Sequence, residues 1–206
     1  MTIDEAALQC RSASLTGWDL VAFAQSLVNR QMTYSYSNSF DMPRAAFEKG
    51  RGYCWHQAGA LQLIFIRLRI TSRMVHAVKN EFPKMVREGV ALAPHLSGHV
   101  WCRVTMNGSE KDVCPGHPDN RPGVIHFKPV SSVRNWNPVI AFFSYLGSAM
   151  VNARRLKALE RLKQQQACKW NPELCPCKKK NCPRYKNCDT CREHHHTNGG
   201  LPYCER

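Results

Sequence analysis

A cysteine at the start of a predicted helix is the residue in this sequence best suited to nucleophilic chemistry. The run Gly50-Arg51-Gly52-Tyr53-Cys54 leads directly into a helix that we predict from Cys54 to Leu68. A thiolate at a helix N-terminus is stabilised by the positive end of the helix dipole and by the backbone N–H groups there. The same N–H groups could stabilise an oxyanion on a carbonyl that the thiolate attacks. A buried cysteine that packs as a small apolar side chain is the alternative interpretation of Cys54.

A histidine at the start of a predicted strand can supply the base that such a nucleophile needs. His99 opens the sequence His-Val-Trp-Cys-Arg-Val, which alternates as a half-buried strand does. An imidazole on a neighbouring strand can accept the proton of a cysteine and later return it to the leaving group. A capped or surface histidine is the alternative for His99. His56 and His76 are weaker candidates for the base.

The elements predicted around these two residues are helices followed by an antiparallel hairpin. We predict helices over residues 17–30, 44–49 (opened by Pro43) and 54–68, and strands over residues 70–78 and 99–106. Asn107-Gly108 predicts a two-residue hairpin turn, because both residues tolerate positive φ, and residues 109–114 form the return strand. A basic helix is predicted from Ala149 to Gln166.

Taken together, these segments resemble the transglutaminase-like superfamily of cysteine enzymes. The resemblance runs from Trp18 to about Gly116 and includes Gly50-x-Gly52-x-Cys54, the strand Ile70–Val75 and His99-x-Trp101. It implies an α+β papain/transglutaminase-like core, in which the helix carrying the nucleophile packs on an antiparallel sheet. It also implies a cysteine acyltransferase or hydrolase with Cys54 as nucleophile and His99 as base. The reaction would pass through a thioester formed from a peptide or protein amide, without a catalytic cofactor.

The acidic member of the site is where this sequence departs from that family. The family's acid usually stands directly before a proline on the return strand, and Cys114-Pro115 occupies that place in this chain. Asp112 lies two residues earlier, and we assign it as the group that orients His99. Asp119, in the loop that follows, is the second choice.

The hairpin register gives Asp112 an alternative role. A turn at Asn107-Gly108 pairs Asp112 with Arg103, four residues from His99. In a regular hairpin Asp112 would therefore lie roughly 13 Å from the level of His99, at about 3.4 Å per residue. A shifted hairpin would bring it closer. Otherwise, a cross-strand ion pair with Arg103 is the expected role.

The last 40 residues hold most of the cysteines and predict a metal site. Their spacing, Cys-x-Cys-x4-Cys-x5-Cys-x2-Cys followed by three histidines and a further cysteine, suits thiolate coordination. The segment is poor in large apolar residues, so its folding should depend on a bound metal. We expect structural zinc, with an iron–sulfur cluster as the alternative. The expected ligands are Cys175, Cys177, Cys182, Cys188, Cys191, His195 and Cys204.

Composition divides the chain into a catalytic domain (1–147), a basic helical linker (148–166) and a cysteine-rich tail (167–206). More than half of the formal net charge of +14 lies beyond residue 147. Lys178–Lys180 and Tyr185 would suit a phosphate backbone and a stacked base, although such a run is also typical of a solvated surface. Because Cys114 stands in the usual place of the acid, the alternative function is an inactive transglutaminase-like module whose zinc tail binds nucleic acid or a protein.

Targeting signals are not recognisable in the sequence. No apolar run reaches the roughly 18 residues that a membrane-spanning helix needs. The first residues, Met-Thr-Ile-Asp-Glu, contain neither the basic nor the apolar part of a secretion signal. We therefore expect a cytoplasmic protein without a membrane partner.

Overall fold

The chain divides into two compact units, Met1–Met150 and Val151–Arg206. The computed structural model describes residues 1–87, 90–137, 139, 175 and 177–205. The helices described in the first unit are α1 (Ile3–Ser12), α2 (Gly17–Gln31), α3 (Pro43–Glu48) and α4 (Cys54–Arg67). The strands described there are β1 (Thr33–Tyr34), β2 (Arg51–Gly52), β3 (Ser72–Phe82), β4 (Met85–Arg87), β5 (Val90–Leu92), β6 (His95–Met106), β7 (Ser109–Val113), β8 (Lys128–Pro129) and β9 (Arg134–Asn135). The predicted basic helix over residues 149–166 lies outside the described residues.

An antiparallel sheet forms the centre of the first unit. Its strand order is β7-β6-β3-β8, and β9 also pairs with β3. Arg103 of β6 stands opposite Asp112 of β7, which confirms the predicted hairpin register. At the turn, Asn107 has a φ of 50° and Gly108 a φ of 72°, the left-handed conformations that a type I′ turn requires. Helices packed on this sheet confirm the predicted α+β class.

The sheet buries side chains on both of its faces. Val100, Cys102 and Val104 pack with the apolar residues of α1, α2 and α4 in the main core. Trp101 packs on the opposite face in a second cluster that includes Phe82, Cys114 and Phe127. Because successive side chains of a strand point to opposite faces, His99 shares the face of Trp101.

Strand β3 begins two residues later than predicted, because the end of α4 uses the intervening chain as a cap. Arg69 has a φ of 58°, and the Ile70 N–H donates a hydrogen bond to the Phe65 carbonyl oxygen at 2.9 Å. This is the Schellman arrangement, which satisfies the last carbonyl groups of a helix. Ile70 therefore closes the helix instead of opening the strand. Strand β3 then continues to Phe82, beyond its predicted end, and β6 begins at His95, before its predicted start. The two strands pair along this added length after a register shift between Ala77 and Asn80.

Helix α1 is absent from the predicted elements, although the sequence marks its start. The Glu5 N–H donates to Thr2 Oγ1 at 3.2 Å, and the Thr2 N–H donates to Glu5 Oε2 at 2.7 Å. This reciprocal pair is a capping box, which can be recognised from a threonine followed three residues later by a glutamate. The buried face of α1, which includes Ile3 and Cys10, then joins the main core.

The described part of the C-terminal unit contains helix α5 (Cys188–Thr197) and a 3₁₀ turn over Tyr203–Glu205. Asn187 caps α5, since its Oδ1 accepts a hydrogen bond from the Thr190 N–H at 3.3 Å. No residue of α5 is buried. Packing of an apolar face therefore does not stabilise this helix. Among all described residues, no helix combines the length and the apolar character needed to cross a membrane.

Candidate functional site

Cys54 is the first residue of α4 and is half-buried. Further along this helix, Ala58, Leu61 and Ile64 are fully buried in the main core. The Cys102 thiol of β6 donates a hydrogen bond to the Ala58 carbonyl oxygen at 3.3 Å. The helix is thus joined to the strand that carries His99. Burial of α4 fixes the position of its N-terminus, and with it the backbone of Cys54.

His56 holds the chain segment that precedes Cys54. Its Nδ1 accepts a hydrogen bond from the Tyr53 N–H at 3.2 Å, and its Nε2 lies 2.9 Å from the Asp41 carbonyl oxygen. Burial lowers the pKa of His56 below its ordinary value, which keeps the ring neutral with the hydrogen on Nε2. A Cβ at Gly52 would lie 2.5 Å from the Cβ of His56, so a glycine is needed at this position. His56 therefore has a structural role beside Cys54.

His99 lies in a buried aromatic pocket, in contact with a second cysteine. The side chain is 6% exposed, and its ring centroid lies 4.4 Å from that of Phe127 and 6.1 Å from that of Trp101. His99 Nε2 is 3.3 Å from the Sγ of Cys114, which is 1% exposed. The Gly116 N–H donates to the same sulfur at 3.4 Å. The structure thus brings His99 and Cys114 together.

Asp112 forms the cross-strand ion pair that was the alternative to a role beside His99. Its Oδ1 accepts a hydrogen bond from Arg103 Nε at 2.7 Å, and its Oδ2 accepts one from an Arg103 NH2 group at 3.2 Å. The carboxylate raises the pKa of the Arg103 guanidinium. Asp119, the second choice, has a side chain that is 90% exposed and lies 3.7 Å from His117 Nδ1. These placements favour Cys114 over either carboxylate as the neighbour of His99.

Three side-chain amides that the sequence did not single out fix the backbone at Cys114. Gln25 Nε2 and Asn120 Nδ2 donate to the Cys114 carbonyl oxygen at 3.0 and 2.8 Å. Asn29 Nδ2 donates to the Pro115 carbonyl oxygen at 2.6 Å. Gln25 and Asn29 share one face of α2, because residues four apart are neighbours on a helix. The four-residue spacing is visible in the sequence. The partners of these amides, Cys114 and Pro115, lie 89 and 86 residues away and cannot be predicted from it.

The loop after β7 also contacts the beginning of α4. A Cβ at Gly116 would lie 3.3 Å from Cys114 Sγ and 3.6 Å from Gln57 Oε1. Gln57 belongs to the first turn of the helix that starts at Cys54. The first turn of the helix bearing Cys54 and the Cys114 sulfur therefore both lie near the same glycine.

Six described cysteines of the C-terminal unit line a common cavity of about 190 Å³. Burial raises the pKa of Cys191, and the nearby thiols raise it further. Within the described parts of the chain, no three Cys, His, Asp or Glu side chains are arranged to hold a metal ion. The expected zinc site stays a prediction. The side chains of the expected ligands that line the cavity are Cys175, Cys177, Cys182, Cys188, Cys191, His195 and Cys204.

Comparisons with known proteins identify the family of the first unit. A family model described as the transglutaminase-like superfamily matches residues 10–112, half of the chain. No curated protein gives a significant sequence match. A candidate cysteine protease from Cytophaga hutchinsonii is similar in structure, with 11% identity, a TM-score of 0.38, and coverage of 66% of this chain and 49% of that one. A candidate protease from Parabacteroides distasonis has 11% identity, a TM-score of 0.36, and coverage of 64% and 26%.

This chain spans less than half of the first of these proteins and about a quarter of the second. The family match includes both Cys54 and His99 and ends before Cys114. This match agrees with the sequence segments that resemble the family and with the observed α+β core. The chain belongs to the transglutaminase-like superfamily.

Proposed function

We propose that the first unit is a cysteine enzyme that performs acyl transfer or hydrolysis on an amide of a peptide or protein. The Cys54 thiolate would attack the carbonyl carbon after His99 takes the thiol proton. His99 would then give that proton to the leaving amine, which departs and leaves a thioester on Cys54. Water would release the acyl group in a hydrolase, and an amine would take it in an acyltransferase.

The observation that carries this proposal is the position of Cys54 relative to the loop that contacts His99. Cys54 is half-buried at the first position of a buried helix, where backbone N–H groups and the helix dipole favour a thiolate. Gln57 in the first turn of that helix and the Cys114 sulfur both lie near Gly116. Family membership supports cysteine chemistry of this general class.

Alkylation by iodoacetamide tests the proposal without a known substrate. Peptide mapping by mass spectrometry would follow each cysteine at about pH 6, where an ordinary thiol with a pKa near 8.5 is almost fully protonated. We expect Cys54 to react about tenfold or more faster than glutathione. The variant His99→Ala should lose most of this advantage. The matched variant His76→Ala, which removes another strand histidine, should keep it.

A binding module without activity is the second candidate, and the Cys114 contact with His99 favours it. A neutral thiol is a weaker hydrogen-bond acceptor than the carboxylate usual at this place in the family. The exposed Lys178–Lys180 of the C-terminal unit would then contribute to binding of nucleic acid or of an acidic protein. Slow, uniform alkylation that His99→Ala does not change would support the module and contradict the enzyme.

We also propose that the C-terminal unit binds structural zinc through the cysteines of its cavity. The support is the common cavity that these cysteines share with His195. Thiolate and imidazole are the ligand types that zinc prefers in structural sites. Binding would draw four of these side chains into a tetrahedron. An iron–sulfur cluster is the alternative occupant.

A further inference from the structure

We propose that Cys114 is the third member of the site, a positioning residue whose sulfur fixes the tautomer and orientation of His99. The inference rests on the proposed function of Cys54 and His99. It assigns to a cysteine the role that an acidic residue usually has in the superfamily. The arrangement would then be Cys54–His99–Cys114, with Asp112 left in its ion pair with Arg103.

The contacts of the Cys114 sulfur define how it acts on the ring. The sulfur accepts a hydrogen bond from the Gly116 N–H at 3.4 Å and lies 3.3 Å from His99 Nε2. In the proposed arrangement the sulfur also accepts a second N–H, that of the ring Nε2. The hydrogen of the neutral imidazole then resides on Nε2, and Nδ1 keeps the lone pair. An unprotonated Nδ1 is the atom that can take the proton of Cys54.

The backbone around Cys114 holds its sulfur in one place. Gln25 and Asn120 both donate to the Cys114 carbonyl oxygen, and Asn29 donates to that of Pro115. Two consecutive carbonyl groups are thus tied to buried or half-buried amides on α2 and in the following loop. Such supporting hydrogen bonds preserve the geometry of a site against thermal motion.

A thiol in this position differs in charge from a carboxylate. His99 becomes a cation when Cys54 transfers its proton, and a neighbouring anion stabilises that cation. A carboxylate is ionised throughout the neutral range, whereas a thiol that is removed from water favours its neutral form. We therefore expect Cys114 to act on His99 by orienting the ring, whereas a carboxylate at the same position would also stabilise the imidazolium by its charge. Other titratable groups around the pair are His126, His117 and Cys102.

The experiment measures the rate of Cys54 alkylation as a function of pH in variants of Cys114. Cys114→Ala should lower the rate near neutral pH by about tenfold or more and move the main inflection toward that of an ordinary thiol. Cys114→Asp should restore the neutral rate. If the buried carboxyl prevents folding, Cys114→Asn supplies a neutral acceptor and should restore part of the rate. Cys10→Ala, which removes another buried thiol, should behave as wild type.

The outcomes separate this inference from the proposed function. An unchanged profile in a folded Cys114→Ala protein, with a changed profile in His99→Ala, would overturn the role of Cys114 alone. An unchanged profile in both variants would overturn the proposed function together with this inference. Faster alkylation of Cys114 than of Cys54 would also overturn it, because Cys114 would then be the more reactive thiol.

Discussion

His56 and His99 are both buried, but their hydrogen bonds give them different roles. Both ring nitrogens of His56 contact backbone groups, the Tyr53 N–H and the Asp41 carbonyl. A ring fixed in this way stabilises the start of α4. His99 instead presents Nε2 to a side-chain sulfur, and in the proposed mechanism its Nδ1 takes the proton of Cys54.

Acid should destabilise the first unit through His56. Burial lowers its pKa from the ordinary value of 6.5, so the unfolded chain binds a proton at a higher pH than the folded chain. The stability contributed by neutral His56 is complete above the unfolded pKa and is lost as the pH falls toward the lower folded value. Urea unfolding of wild type and His56→Gln, at about pH 7.5 and pH 5.5, measures this loss. Equal losses in the two proteins would contradict the prediction.

The variant Asp112→Asn separates the ion pair from a role in the reaction. The Asp112 and Arg103 side chains are 23% and 25% exposed, so we expect a stability loss of about 0–1 kcal/mol. Cys54 should be alkylated at the wild-type rate. Arg103→Gln, which removes the other partner, is the matched control and should give a similar loss. A large fall in Cys54 reactivity in Asp112→Asn alone would return Asp112 to the site.

Among the elements, the hairpin turn and the start of α3 are predicted from local signals, whereas α1 is missed although a capping box marks its start. Asn107-Gly108 specifies its turn because both residues tolerate positive φ. Pro43 is the first residue of α3, as expected. The start of β3 is not predictable from propensity, because Ile70 completes the cap of the preceding helix. The sequence places Cys114 at the end of the return strand, but its contact with His99 depends on amides distant in sequence. Its role could therefore not be inferred before the fold was known.

The packing of α3 against α4 predicts that Gly59→Ala destabilises the first unit. A Cβ at Gly59 would lie 2.5 Å from the Cγ of Pro43. Alanine gains about 1 kcal/mol in helix propensity over glycine, whereas overpacking typically costs about 1–3 kcal/mol. Urea unfolding should therefore show a net loss. The double variant Gly59→Ala/Pro43→Ala should recover part of it, and a single variant more stable than wild type would contradict this packing argument.

For the whole molecule, the two units differ in what can stabilise them. The first unit has an apolar core on each face of its sheet. The described part of the second unit has a helix without buried residues and a cavity lined by cysteines. Burial of apolar surface accounts for the order of the first unit, and metal binding is the source of order that we propose for the second.

Metal analysis tests the proposed zinc site on the full-length protein. We expect about one or two zinc ions per chain. A strong chelator should make residues 177–205 sensitive to protease while the first unit stays resistant, because the tail would lose its main source of stability. Cys191→Ser should lower the zinc content, and Cys10→Ser should leave it unchanged. Metal-free protein with a protease-resistant tail would contradict the proposal, and iron with sulfide would identify a cluster instead.

Formation of an acyl thioester on Cys54 tests the central claim most directly. The protein would be mixed with p-nitrophenyl acetate, an activated ester that does not require knowledge of the natural substrate, and analysed by intact and peptide mass spectrometry. We predict one acetyl group on Cys54 that hydroxylamine removes, formed about 10²–10⁴-fold more slowly in His99→Ala. Acetylation that avoids Cys54, or that proceeds at the same rate without His99, would contradict the claim that Cys54 is a nucleophile activated by His99.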